Sequence, residues 1–287
     1  MEETTDYSEQ HALAAEARSF DQFYAVQDQS PTLKAIFREV LELADLPAEI
    51  APYSFVSRDD VQRIESLLHL TQGQSFADLA CGNGSLGLWL AQRTGANLIG
   101  VDVSTAALEL AREKAKTLGL EARSKFVSGS LDQTDLESHS FDAVVSTDAI
   151  WLAADQPKAL REIARLLRPG AKFVFTSWEQ RIPMPFVKQP VKDYRPLLKA
   201  AGFEIEVYEY LTHSEELEKK IYERIRNSQT LLLEEMGEAI KGLIGEAHFV
   251  PGLVDGVNYI SPENGPHVLV SAKRVELKQH VVKPHEE

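Results

Sequence analysis

The chain has 287 residues, 44% of them hydrophobic and 26% charged, which fits a globular protein with one large core plus an insertion or cap. A formal net charge of −14, without a basic cluster, repels phosphate backbones and disfavours a nucleic-acid partner. No apolar run approaches the roughly 20 residues that a bilayer demands. The acidic start, Met1 to Asp6, is unlike a signal peptide, and a lone cysteine, Cys81, permits no internal disulfide. A cytoplasmic protein with no membrane partner is expected.

Residues 1 to 70 read as a helical N-terminal cap. Leu33, Ile36, Phe37, Val40 and Leu41 recur at helical spacing, as do Val61, Ile64, Leu67 and Leu68, with a Pro-containing break over 47–52. From residue 71 to 211 short apolar runs alternate with amphipathic helices. Strands are expected at 76–80, 98–101, 125–127, 141–146, 172–176 and 203–208. Ser104 and Asp155 are placed to N-cap two of the intervening helices, Gly119 to end the first and Pro169-Gly170 the second. Such alternation implies an α/β fold whose mostly parallel sheet is covered on both faces. A long helical insertion, 212–260, opens on Thr212 and Glu215 at capping-box spacing, and 261–287 supplies a last strand at 267–272 and a charged tail.

The run Asp78-Leu79-Ala80-Cys81-Gly82-Asn83-Gly84-Ser85-Leu86-Gly87 stands at the first strand-to-helix turn and spells G-x-G-x-x-G. Glycines there allow a tight turn and let a ligand approach the backbone. Asp102 follows Gly82 by 20 positions, just past the second strand, where a carboxylate accepts from ribose hydroxyls. Together they indicate an adenosine-containing ligand. Asp78, inside the first strand, would repel a pyrophosphate but attract a sulfonium or ammonium, so the charge pattern favours S-adenosylmethionine over NAD. A nicotinamide-dependent oxidoreductase and a donor-binding protein with non-methylating chemistry remain rival readings.

Four segments, Phe76–Gly87, Val101–Ser104, Ser140–Val144 and Leu166–Phe173, resemble in order and spacing the motifs of class I (Rossmann-like) S-adenosylmethionine-dependent small-molecule methyltransferases. The resemblance implies a seven-stranded sheet with an antiparallel last strand, and S-adenosylhomocysteine as product. It also implies that Ala80, Gly82 and Gly84 line the methionine end, with Asp78 and Thr147 near it. Asp102 would take the ribose, Val103 the adenine face and Ser130-Leu131 the adenine edge. The family often has an acid after the third strand; Gly129-Ser130 stands there instead, leaving the adenine contact open between Ser130 and Asp132.

Ligands of open parallel sheets bind beyond the carboxyl ends of the strands. Trp151, Trp178 and Phe186 make an apolar, aromatic rim there, suited to a small aromatic or apolar acceptor. From the cap, Phe20, Tyr24, Phe55 and Ser57 are candidates to close the site, with Tyr24 assigned to the acceptor pocket and Ser57 to the donor. Asp148 is the best-placed candidate base, and His213 and His248 are further candidates from the insertion. No metal site is read from the sequence. The acceptor atom (oxygen, nitrogen or carbon) and the oligomeric state, a homo-oligomer included, stay open; a natural-product pathway follows from the resemblance alone.

Overall fold

The computed structural model describes residues 18, 20–50, 53–180, 190–249 and 265–275. Its strands are β1 (Ser75–Leu79), β2 (Asn97–Asp102), β3 (Ser124–Ser128), β4 (Phe141–Thr147), β5 (Leu167–Trp178), β6 (Phe203–Tyr210) and β7 (His267–Arg274). They form one seven-stranded sheet in the order β3-β2-β1-β4-β5-β7-β6. The first five are parallel, and β7 runs antiparallel between β5 and β6. The chain order reverses direction at β1, so β1 and β4 lie side by side where the sheet opens for a ligand. Pairing of Leu79 with Val101 brings the ends of β1 and β2 level and sets the Gly82 turn beside Asp102.

Parallel strands buried on both faces need apolar residues on both. One face carries Phe76, Leu98, Val145 and Val174 against helices Arg58–Leu68 and Ser85–Thr94. The other carries Leu79, Val144, Phe173 and Phe175 against helices Gln156–Leu166 and Arg195–Ala200. A third cluster joins Phe23, Leu33, Ile36 and Phe37 near the N-terminus to Ile221, Ile225, Leu232 and Ile240 of the insertion. Burial of each such side chain contributes about 1.5–3 kcal/mol.

The local signals act where expected at two caps. Ser104 Oγ accepts from the Ala107 amide at 3.1 Å, and Asp155 Oδ1 from that of Lys158 at 2.7 Å. Helix Gln156–Leu166 ends before Pro169-Gly170, which lies within β5. A register shift between Phe141 and Ala143 absorbs Arg168–Ala171 as an irregularity of that strand.

The insertion is also not one helix: Ser214–Asn227, Gln229–Met236 and Lys241–Phe249 are separate, with Gly237 at φ 58 making one break. Its capping box does not form. The helix starts at Ser214, with His213 at the N-cap and no side-chain cap. The N-terminal and inserted helices are clamped by Glu235. Its carboxylate accepts from the hydroxyls of Ser30 and Thr32 at the start of helix Pro31–Val40.

Candidate active site

The elbow after β1 is built around two buried carboxylates. Asp78 is 2% exposed and, among the described residues, accepts a single hydrogen bond, from the Gly87 amide at 3.0 Å. A Cβ on Gly87 would lie 2.7 Å from Asp78 Oδ2, so the third glycine is what admits the carboxylate under the helix start. Burial foremost, with the Asp102 charge in addition, pushes Asp78 up to about 7. Asp102 Oδ2 accepts from the Gly82 amide at 2.7 Å and Oδ1 from that of Ser104 at 2.9 Å. Burial raises its pKa as well, opposed by these backbone donors. Ala80 holds φ 55 between them, a left-handed conformation that a non-glycine residue adopts at a cost of order 1–2 kcal/mol.

A cleft of about 330 Å³, its open mouth included, lies over this elbow. Its floor takes in Asp78, Ala80, Gly82 and Thr147, and its cap side Tyr24, Tyr53 and Ser54. Tyr24 lies against the elbow so closely that a Cβ on Gly82 would collide with its hydroxyl. Burial, then the charge of Asp102, raises the Tyr24 phenol well above its ordinary pKa, so it stays a neutral donor. Ser54 is buried, and its hydroxyl finds no partner among the described residues. The Cys81 thiol is likewise raised by burial, as suits a packing residue rather than a nucleophile.

These features fit S-adenosylmethionine. A cation near Asp78 would relieve a carboxylate that, among the described residues, has one hydrogen bond and no paired charge, and Ser54 supplies a spare polar group in the same cleft. A pyrophosphate would meet two carboxylates instead. Lys114, the buried lysine nearest the elbow, already faces Asp28 at 3.6 Å and Ser85 Oγ at 3.4 Å.

At the carboxyl ends of β4 and β5 and the amino end of β7 the arrangement differs. The Asp148 side chain is 6% exposed and already bonded at both oxygens. Oδ2 accepts from the Phe55 amide at 2.7 Å, and Oδ1 from Thr176 Oγ1 at 2.5 Å, with His267 Nε2 at 2.7 Å from Oδ1. Burial would raise this carboxyl, but the His267 and Thr176 contacts outweigh it and hold the pKa below the ordinary value. His267 Nδ1 lies 2.7 Å from Ser214 Oγ, and its ring stacks on Trp178 at 4.4 Å and 10°. Trp178 meets Phe55 and Trp151 edge-on at 5.6 and 6.0 Å.

The structure therefore joins Trp151, Trp178, Phe55 and Asp148, but puts Tyr24 over the elbow rather than beside the tryptophans. Ser57 is the N-cap of helix Arg58–Leu68, exchanging hydrogen bonds with Asp60 in a capping box; Ser54, three residues earlier, lines the cleft instead. Gly84, Asp102, Val103, Ser130 and Leu131 lie outside that lining. Gly129 N bonds Asp102 O at 3.1 Å, which brings the turn after β3 beside the end of β2. Ser130 Oγ donates to Asp132 at 2.6 Å, so the two candidates for the adenine edge are linked to each other. His213 pairs with Asp60 at 2.8 Å. Phe186 and the side chain of His248 fall outside the described residues. Reasoning on the sequence missed His267 and Ser54. His267 reads there as one more strand residue, and the serine that stands out is the one with a capping acid three places on.

Residues 77–175 match the model of a methyltransferase domain. A curated relative, methyltransferase GfsG of Streptomyces halstedii, is 31% identical over 126 residues, 44% of this chain and 45% of that one. The sarcosine/dimethylglycine N-methyltransferase of Halorhodospira halochloris is 29% identical over 176 residues, 56% of this chain and 63% of its own length. The matches thus span about half to under two thirds of these relatives. Among solved structures, phosphoethanolamine N-methyltransferase 2 of Haemonchus contortus with S-adenosyl-L-methionine superposes with a TM-score of 0.65 at 22% identity, covering 90% of this chain and 60% of that one. The [4+2]-cyclase SpnF gives 0.64 at 20% identity, covering 75% and 80%. Residues 77–175 thus carry a methyltransferase domain, on a fold shared with a structure that holds S-adenosyl-L-methionine.

Proposed function

We propose that the chain transfers the methyl group of S-adenosylmethionine to a small, uncharged, apolar or aromatic acceptor. The observation that carries the reading is the elbow with two buried carboxylates, one of them, Asp78, without a paired charge among the described residues. A cationic donor suits that site and a dinucleotide does not. In this reading Ala80, Gly82, Gly84 and Thr147 contact the methionine end with Asp78, and Ser54 and Tyr24 close over it. Asp102 takes the ribose, and Val103 and Ser130-Leu131 frame the adenine.

Methyl transfer is an in-line displacement that needs alignment above all. We assign Asp148 to positioning. With both oxygens engaged, it holds the Phe55 loop and His267, and through them the face of Trp178. The helices between Pro31 and Leu68 and between Ser214 and Phe249 act as a cap that excludes water.

The test is calorimetry with S-adenosylhomocysteine and, separately, NADH, followed by an acceptor screen with methyl-labelled donor. Binding of the homocysteine alone, with label reaching an uncharged acceptor, supports the proposal. Binding of NADH returns the oxidoreductase reading. Donor binding without transfer to any acceptor favours a non-methylating use of the site, since one fold hosts several chemistries.

A further inference from the structure

Strand β5 continues its alternation past its last residue. Phe173 and Phe175 pack on one face, where the Ser177 hydroxyl lies 2.8 Å from Tyr194 OH and Glu179 accepts from Tyr208 OH at 2.5 Å. Thr176 and Trp178 point to the other face, toward Asp148, Phe55 and His267. Glu179 N donates to Pro266 O at 3.0 Å and Gln180 N to Val191 O at 2.8 Å, so the backbone stays extended. Gln180 therefore shares the face of Trp178. It is 0% exposed, and neither its amide oxygen nor its amide nitrogen has a partner among the described residues. Native proteins seldom leave such a group unpaired without a reason.

We propose that Gln180 reads the methyl acceptor, and that the acceptor carries a hydroxyl or amide able both to donate to and accept from it; this rests on the methyltransferase reading above. An amide offers two donors and one acceptor oxygen, which complements a neutral group of mixed character. Gln180 lies beyond the carboxyl ends of the parallel strands, on the face of the tryptophans. Among the described residues Lys114 is the only buried lysine or arginine, and it is engaged by Asp28 and Ser85. Among the described residues, then, none offers an unengaged, fully buried ammonium or guanidinium to an anionic acceptor, which favours an uncharged molecule over a phosphate or carboxylate.

The test compares the full chain with its Gln180→Leu variant, both loaded with S-adenosylhomocysteine. Equilibrium dialysis against 2-naphthol and naphthalene probes the hydroxyl. The parent is expected to bind the naphthol about tenfold more tightly, and the variant to lose that preference. Thermal melting without acceptor is expected to rise by about 2–4 °C in the variant, because an unpaired amide has been removed. Equal or absent binding of the two probes by the parent overturns the proposal, as does a preference retained by the variant. A fall in melting temperature also overturns it, since it would mean that a buried water already satisfies the amide. Calorimetry with S-adenosylhomocysteine beforehand reports on the donor reading alone; no binding by either protein overturns both.

Discussion

Two buried carboxylates at the carboxyl ends of neighbouring strands, Asp78 on β1 and Asp148 after β4, meet opposite surroundings. Asp78 has one backbone donor and is raised to about 7; Asp148 has three partners and is held low. Burial penalises both charges, and what separates them is whether the protein supplies the compensating groups itself. Among the described residues the first keeps an uncompensated charge, which the proposed donor would complete, and the second is complete within the protein. On the function proposed above, a buried carboxylate serves as a binding group on one side and as a structural tie on the other, and its hydrogen bonds make the difference.

The largest effect expected from this contrast is on donor binding. Asp102→Ala should weaken S-adenosylhomocysteine binding by a hundredfold or more, since each charged hydrogen bond to a ribose hydroxyl is worth about 1.5–3 kcal/mol. Calorimetry checks it, and an affinity equal to the parent's would remove Asp102 from the donor site.

On the other side, Asp148→Ala should act on stability. Breaking a buried pair with His267 costs about 3–5 kcal/mol, read as a lower denaturant midpoint. Donor affinity of the folded fraction should change little. If the variant is as stable as the parent, the Asp148–His267 tie is not what holds the cap loop.

A pH titration sharpens the comparison further. The raised pKa of Asp78 means that the free protein prefers this carboxyl protonated up to about 7. Its contribution to stability therefore falls as pH rises from about 4, the ordinary carboxyl value, towards that point. A cation wants the ionised form, so affinity for S-adenosylmethionine should increase roughly tenfold between about pH 5.5 and 7.5. Asp78→Asn should flatten that rise. A pH-independent affinity in the parent would mean that Asp78 does not face the donor's charge.

The smallest effect is expected at the clamp between the two helical segments. Glu235→Gln should cost about 0.5–1.5 kcal/mol of stability by weakening the Ser30 and Thr32 hydrogen bonds. Chemical denaturation measures it, and a loss beyond 3 kcal/mol would show that the clamp does more than cap one helix.

Much of this molecule was legible before its structure. The strands, the Ser104 and Asp155 caps and the glycine elbow with Asp102 depend on spacing over fewer than about 20 residues, where periodicity and turn chemistry act directly. The antiparallel last strand was readable only through the family's motif order. The helix stop ahead of Pro169-Gly170 held, although β4 draws those two residues into a strand, and the capping box at Thr212 did not form because the helix starts two residues later, with His213 at the N-cap.

The chain's own text, then, determined the framework and the charge character of the glycine turn, because both are written in neighbouring residues. Only the tertiary structure could set Tyr24 on the elbow, choose Ser54 over Ser57 for the cleft, join Asp148 to a histidine 119 positions away and leave Gln180 unpaired. Those outcomes depend on which distant groups burial brings within hydrogen-bonding reach, and no local periodicity encodes that.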